Sequence, residues 1–203
     1  MTKPLPKSLL QLAGAPLHPA PLDRAALVLI DHQMEYVDGA LPLDGIHAAM
    51  DAAAALLALA RRHQVPVFHV LHHGRPGAAA FDPATPGAAV MPMLAPIPDE
   101  QVVIKGLPNS FAGTGLQARL QVSGRTELIV AGFMTHGCVS ATVRAALDLG
   151  YRSTVVAAAC ASRDLPDPAG GVMPAAIAHR AELAALADRT AIVVADAGAW
   201  GAA

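Results

Sequence analysis

Six short runs of nearly unbroken Val, Ile, Leu and Ala recur along the chain, and they restrict its fold more than any other feature. They are Ala26–Ile30, Val65–Leu71, Gln101–Ile104, Glu127–Ala131, Thr154–Ala159 and Ala191–Ala195. Each has the length of a strand, and continuous apolar character is what parallel strands show when both faces of their sheet are covered. Helical stripes lie between them. Ile46, Met50, Ala53, Leu57 and Ala60 step by three and four residues, as do Val139, Val143, Ala146 and Leu147, which Gly150 brings to a stop. A last helix is expected over Ala175–Ala187, with Ile177, Leu183 and Leu186 on its apolar side. Strand and helix in alternation predict a doubly wound α/β sandwich with right-handed crossovers.

A chain of 203 residues is the size of one compact domain. Hydrophobic residues make up 54% of it and charged residues 15%, so the surface is sparsely charged and part of the apolar excess is expected in a subunit interface. The formal net charge is −2, and no run of Lys or Arg exceeds two residues. Such a surface has nothing to condense on a phosphate backbone or an anionic bilayer, so neither nucleic acid nor membrane is an expected partner. No uncharged apolar stretch approaches the ~20 residues that span a bilayer. Two cysteines, Cys138 and Cys160, build no disulfide framework or C-x-x-C site, which predicts a reducing, cytoplasmic setting. Residues 1–24 carry Lys3 and Lys7 ahead of a short apolar stretch that Gln11 interrupts; this reads as an N-terminal arm on a single domain of residues 25–203. The Gly/Pro-rich segment Gly74–Pro98 is the one long irregular stretch, and it reads as a binding or lid loop.

In an open parallel sheet, chemistry collects at the carboxyl ends of the strands. The first run ends at Asp31, the third at Lys105, and the fourth runs out at Gly132, six residues before Cys138. An acid, a base and a thiol therefore converge on one edge. Cys138 directly precedes a helical stripe. There the helix dipole, and a nearby Lys, would lower a thiol pKa below its free value of about 8.5. The competing role is that of a small buried apolar side chain. Asp31 abuts a buried strand, where a carboxylate must be paired or hydrogen-bonded; its competing role is a helix cap. Cys160 ends a buried run and is expected to be core packing.

Leu29-Ile30-Asp31-His32-Gln33, Val103-Ile104-Lys105 ahead of Asn109-Ser110-Phe111, and Gly132-Phe133-Met134-Thr135-His136-Gly137-Cys138-Val139 together resemble the isochorismatase-like hydrolase superfamily. The resemblance runs from about Ala25 to Val194, in the family's order and spacing. It implies a three-layer α/β/α sandwich around a six-stranded parallel sheet, commonly assembled into dimers or larger oligomers. It also implies an Asp31–Lys105–Cys138 triad in which the Asp takes the thiol proton. A non-proline cis peptide joining Met134 to Thr135, and an oxyanion hole of the Thr135 and Cys138 backbone N–H groups, are implied likewise.

Two departures narrow that implication. Isochorismatases proper resemble this chain but lack the thiol, so a cysteine favours hydrolysis of an amide, carbamoyl or similar C–N bond. Nicotinamidases of the family hold a metal through an Asp-x-His after the second strand. This chain has Leu71-His72-His73 there and lacks the carboxylate, so neither metal nor cofactor is expected, with His72 and His73 as the ligands that would remain for a metal.

Gln33, Tyr36, Phe111, Phe133 and His136 are the candidate substrate contacts. The competing roles are core packing for the aromatics, Phe81 included, and a solvent-facing turn residue for His136. His69 and His179 sit in apolar patterns and read as packing or interface residues. Two other functions remain in contention: a non-catalytic oligomeric scaffold of the same fold, and a dinucleotide-dependent oxidoreductase. The latter lacks a glycine-rich turn after the first strand. The substrate itself is not legible.

Overall fold

The computed structural model describes residues 5–201. Five helices and eight strands follow one another as α1 (Leu9–Leu12), β1 (Ala25–Ile30), α2 (Ile46–Arg62), β2 (Val67–His72), β3 (Gln101–Lys105), α3 (Leu116–Ser123), β4 (Glu127–Phe133), α4 (Ser140–Asp148), β5 (Arg152–Ala161), β6 (Leu165–Pro166), β7 (Val172–Met173), α5 (Ala175–Arg189) and β8 (Ala191–Val194). Six of the strands form one sheet in the order β3-β2-β1-β4-β5-β8. Every pairing in it is parallel. β1 and β4, at the centre, are buried along their whole length, as their unbroken apolar runs require. β6 and β7 make a small antiparallel pair apart from the sheet.

Side chains alternate across the sheet and so divide between two cores. Leu27, Leu29, Ile129 and Phe133 pack under α2 with Ala53, Leu56 and Leu57. Val28, Ile30, Leu128 and Val130 pack under the other layer with Leu116, Leu120, Val143 and Leu186, from α3, α4 and α5. These three layers are the α/β/α sandwich that the strand–helix alternation predicts.

Several expectations shift in detail. β3 is an edge strand, and Val102 and Ile104 are exposed although their run is apolar. On α4 and α5, Leu147 and Ile177 face outward, and the buried stripes use Val143, Ala146, Ala178 and Leu186 instead. α3 has no counterpart in the sequence-based expectation, because eight residues with only Leu116 and Leu120 buried give no repeating stripe. Of the arm, residues 1–4 lie outside the described residues. The rest runs along the domain, with the Leu9 N–H donating to Asp188 of α5 at 3.0 Å and the Ala20 N–H to Thr154 Oγ1 of β5 at 2.8 Å. Among the described residues no helix is long and apolar enough to cross a membrane.

Candidate active site

Strand order reverses between β1 and β4, and in a doubly wound sheet that switch point opens a crevice at the carboxyl edge. Glycine is needed to bring the two strands together there. A Cβ on Gly132 (φ +142°) would lie 2.1 Å from the Ile30 carbonyl oxygen. Asp31 leaves β1 with φ +56°, a conformation that Asp tolerates better than most residues, and its N–H donates to Val70 O at 2.8 Å.

Lys105 ends β3, two strands from Asp31, yet its side chain reaches the same place. Its Nζ lies 2.7 Å from Asp31 Oδ2, 3.2 Å from Cys138 Sγ and 3.0 Å from His72 Nδ1. An ammonium has three hydrogens and no acceptor, so these contacts use all of its capacity. Asp31 is 0% and Lys105 2% exposed, while Cys138 is half-buried. One Asp31 oxygen, a His72 ring nitrogen and Cys138 Sγ lie within 4.8 Å of one another, a set of atoms suited to a metal ion. Lys105 Nζ stands among them and fills the position of the cation.

Burial outweighs the attraction of Lys105 at Asp31, so its carboxyl titrates above the usual carboxylate range. The thiol of Cys138 is pushed up to about 12, chiefly by burial and then by the Asp31 charge, against the pull of Lys105. This corrects the expected depression: a helix terminus and a Lys do not offset the cost of ionising a desolvated sulfur beside a carboxylate. Cys138 therefore rests as a thiol and needs a base. Asp31 Oδ1 is buried with no hydrogen-bond partner. His72 is pushed down to about 4, first by burial and then by Lys105, and accepts at Nδ1 as a neutral ring.

Cys138 sits in a π-turn, Thr135–Val139, between β4 and α4. Such turns are rare and frequent at functional sites. Gly137 and Val139 both donate their N–H to Met134 O, at 3.0 and 3.3 Å. The non-proline cis peptide joins Phe133 to Met134, one bond earlier than the expected Met134–Thr135. Pairing of β4 ends at Phe133, opposite Ala161, and Met134 O already receives the turn's hydrogen bonds, so the chain changes direction at this bond. Thr135 is fully buried, its hydroxyl 3.0 Å from Ala161 O and 2.8 Å from His179 Nδ1. His136 Nδ1 lies 3.0 Å from Ser162 Oγ.

The remaining sequence-predicted residues separate. The Gln33 amide nitrogen donates to His72 O and Ala88 O, and its oxygen accepts from the His72 N–H, so it ties main-chain segments together. Tyr36 and Phe133 pack edge-on at 5.5 Å in the α2-side core below the crevice. Phe111 stacks on Tyr151 in the other core. His69 is buried and pairs with Glu100 at 2.9 Å. Cys160 is buried, as expected.

Segment 74–98 is not a free lid. Met34 N–H donates to Ala89 O, Met91 N–H donates to His32 O, and the buried carboxylate of Glu35 accepts from Ala40 and Phe81 N–H at 2.6 and 2.9 Å. The roles of Glu35, His72 and His179 escaped sequence reasoning because they depend on Phe81, Lys105 and Thr135, 33 to 46 positions away. Arg163, just past β5, escaped it too. Its Nε is buried without a partner, and its charge is felt at His136 and Tyr36.

The Isochorismatase domain family model matches residues 25–197, and the chain belongs to that family. The crystal structure of an isochorismatase from Pseudomonas putida KT2440 superposes with a TM-score of 0.90 at 43% identity, covering 94% of this chain and 97% of that one. A streptothricin hydrolase of Streptomyces noursei is 39% identical over 83% of this chain and 61% of its own length. A maleamate amidohydrolase of Pseudomonas putida is 32% identical over 66% of this chain and 70% of its own. The protein is a hydrolase of the isochorismatase family.

Proposed function

We propose that this protein is a metal-independent cysteine hydrolase that cleaves an amide or carbamoyl C–N bond of a small non-peptide substrate through an acyl group carried on Cys138. The observation that carries this reading is the Lys105 ammonium, hydrogen-bonded at once to the Asp31 carboxylate and the Cys138 sulfur. The unpartnered Asp31 Oδ1 takes the thiol proton, and Lys105 offsets the charge on sulfur as it forms. Sulfur attacks the carbonyl carbon, an S–C bond forms, and the carbonyl electron pair moves to oxygen. The Thr135 and Cys138 N–H groups of the π-turn face that oxyanion. When it collapses the C–N bond breaks, and Asp31 returns the proton to the departing nitrogen, so ammonia or an amine leaves. Water then gives its proton to Asp31 and adds to the thioester. The S–C bond breaks, the acid departs, and the sulfur recovers a proton.

The positive charge of Arg163, felt at His136 two residues before Cys138, favours a substrate that carries a carboxylate or another anion. The enzyme works in the cytoplasm as a homo-oligomer on this reading.

The test is ammonia release from a panel of small amides, ureido acids and carbamoyl acids by wild type and Cys138→Ala. Turnover should fall by about 10⁴-fold or more in the variant while circular dichroism stays unchanged. A purified Cys138→Ala protein that releases ammonia as fast as wild type overturns the assignment.

A further inference from the structure

α5 is a helix on which the proposed chemistry does not call, yet it reaches the catalytic turn at two points. Glu182 Oε1 accepts from Ser140 Oγ at 2.6 Å, just past the turn, and Arg144 joins the same carboxylate oxygen at 2.9 Å. One helical turn earlier, His179 Nδ1 lies 2.8 Å from Thr135 Oγ1 at the start of the turn. The Thr135 hydroxyl has one hydrogen, and Ala161 O accepts it at 3.0 Å. The hydrogen between Thr135 and His179 therefore belongs to the ring: Nδ1–H donates and Oγ1 accepts. This buried hydroxyl is thus held from two sides, by the end of β5 and by α5.

We infer that His179 is a positioning residue for acyl transfer: through Thr135 it fixes the start of the π-turn, and with it the backbone N–H groups that meet the oxyanion. The inference rests on the hydrolase reading above. His179 touches neither Cys138 nor Lys105 by any hydrogen bond, so it has no part in making the thiolate. Its loss should slow only reactions of Cys138 that pass through a tetrahedral oxyanion. Small displacements suffice, since misplacing a catalytic group by about 1 Å costs on the order of 10²-fold.

Two reagents separate these effects without knowledge of the natural substrate. p-Nitrophenyl acetate acylates Cys138 through an oxyanion and releases p-nitrophenol; iodoacetamide alkylates the same sulfur by displacing iodide, with no oxyanion. Cys138→Ala supplies the blank. His179→Leu should slow acylation by at least about tenfold and leave alkylation within about twofold of wild type. His179→Asn, which keeps an N–H donor at the δ position, should restore acylation to within about threefold of wild type. Should His179→Leu fail to fold, Thr135→Val removes the same hydrogen bond from the other side and should show the same selective loss.

Equal acylation in His179→Leu and wild type overturns the inference. So does a parallel loss of both reactions, which marks a merely structural role, and so does an Asn variant no better than Leu. A wild-type Cys138 that takes up neither reagent even at pH 10, where the thiolate is more abundant, overturns the hydrolase reading, and the inference with it. A Cys138 that reacts with both but ignores changes at His179 overturns the inference alone.

Discussion

Three hydrogens on Lys105 Nζ meet three acceptors, two at the ends of β1 and β2 and one in the turn after β4, and this arrangement sets how Cys138 behaves. The thiol is held up near 12 because ionising it would place a second negative charge, largely desolvated, beside Asp31. A raised pKa means a protonated sulfur throughout the neutral range. The second-order rate of iodoacetamide alkylation should therefore climb steadily with pH through pH 10, where an ordinary thiol levels off above about 8.5. Asp31→Asn removes the repelling charge, so its alkylation curve should move to lower pH; Lys105→Met should move it to higher pH. A wild-type curve that levels off near pH 8 would contradict the coupling. Slow alkylation at neutral pH is thus no sign of a non-catalytic scaffold in this protein, whereas indifference of Cys138 to Asp31→Asn would be.

Segment 74–98 shows how an irregular element is fixed without regular secondary structure. Glu35 is a buried carboxylate whose oxygens accept main-chain N–H groups from Ala40 and from Phe81 within the segment. Gly87 leaves it the necessary space: a Cβ there would lie 2.5 Å from Glu35 Oε2. Gly87→Ala should lower unfolding free energy by about 1–3 kcal/mol in urea titration. Glu35→Ala should speed amide exchange at Phe81 and Ala40 by about tenfold or more, corresponding to about 1.4 kcal/mol, with β1 and β4 unaffected. Unchanged exchange at Phe81 would mean that the segment is held by its main-chain bonds to residues 32–34 alone. The loop is anchored by a residue that precedes it by about forty positions, which its Gly/Pro-rich composition does not reveal.

For the whole molecule, the decisive contact is the meeting of β1 and β4. Gly132→Ala drives a methyl group into the Ile30 carbonyl and imposes a strained φ; a loss of about 3 kcal/mol or more, or failure to fold, is expected in denaturant titration. The sparsely charged surface and the exposed Val102, Ile104 and Leu107 on and beside edge strand β3 lead us to expect self-association. Sedimentation equilibrium should return at least twice the mass of one chain; a monomer at micromolar concentration would remove the expectation.

The layers of this fold were legible in the sequence because burial on both faces of a parallel sheet writes itself as unbroken apolar runs. The convergence of Asp31, Lys105 and Cys138 was legible because strand ends in such a sheet share an edge. What the runs do not carry is exposure at an edge, so β3 read as if it were central, and α3 was too short to show a stripe. Charge state was also out of reach. Sequence position suggested a depressed thiol pKa, whereas the degree of desolvation and the nearness of Asp31 raise it, and both depend on how four strands pack. Gln33, His72, His179 and Glu35 took their roles from partners that lie far along the chain. Periodicity and strand ends are local properties of a chain, which its sequence records directly; hydrogen-bond partners and burial are distances in space, which only the folded packing decides.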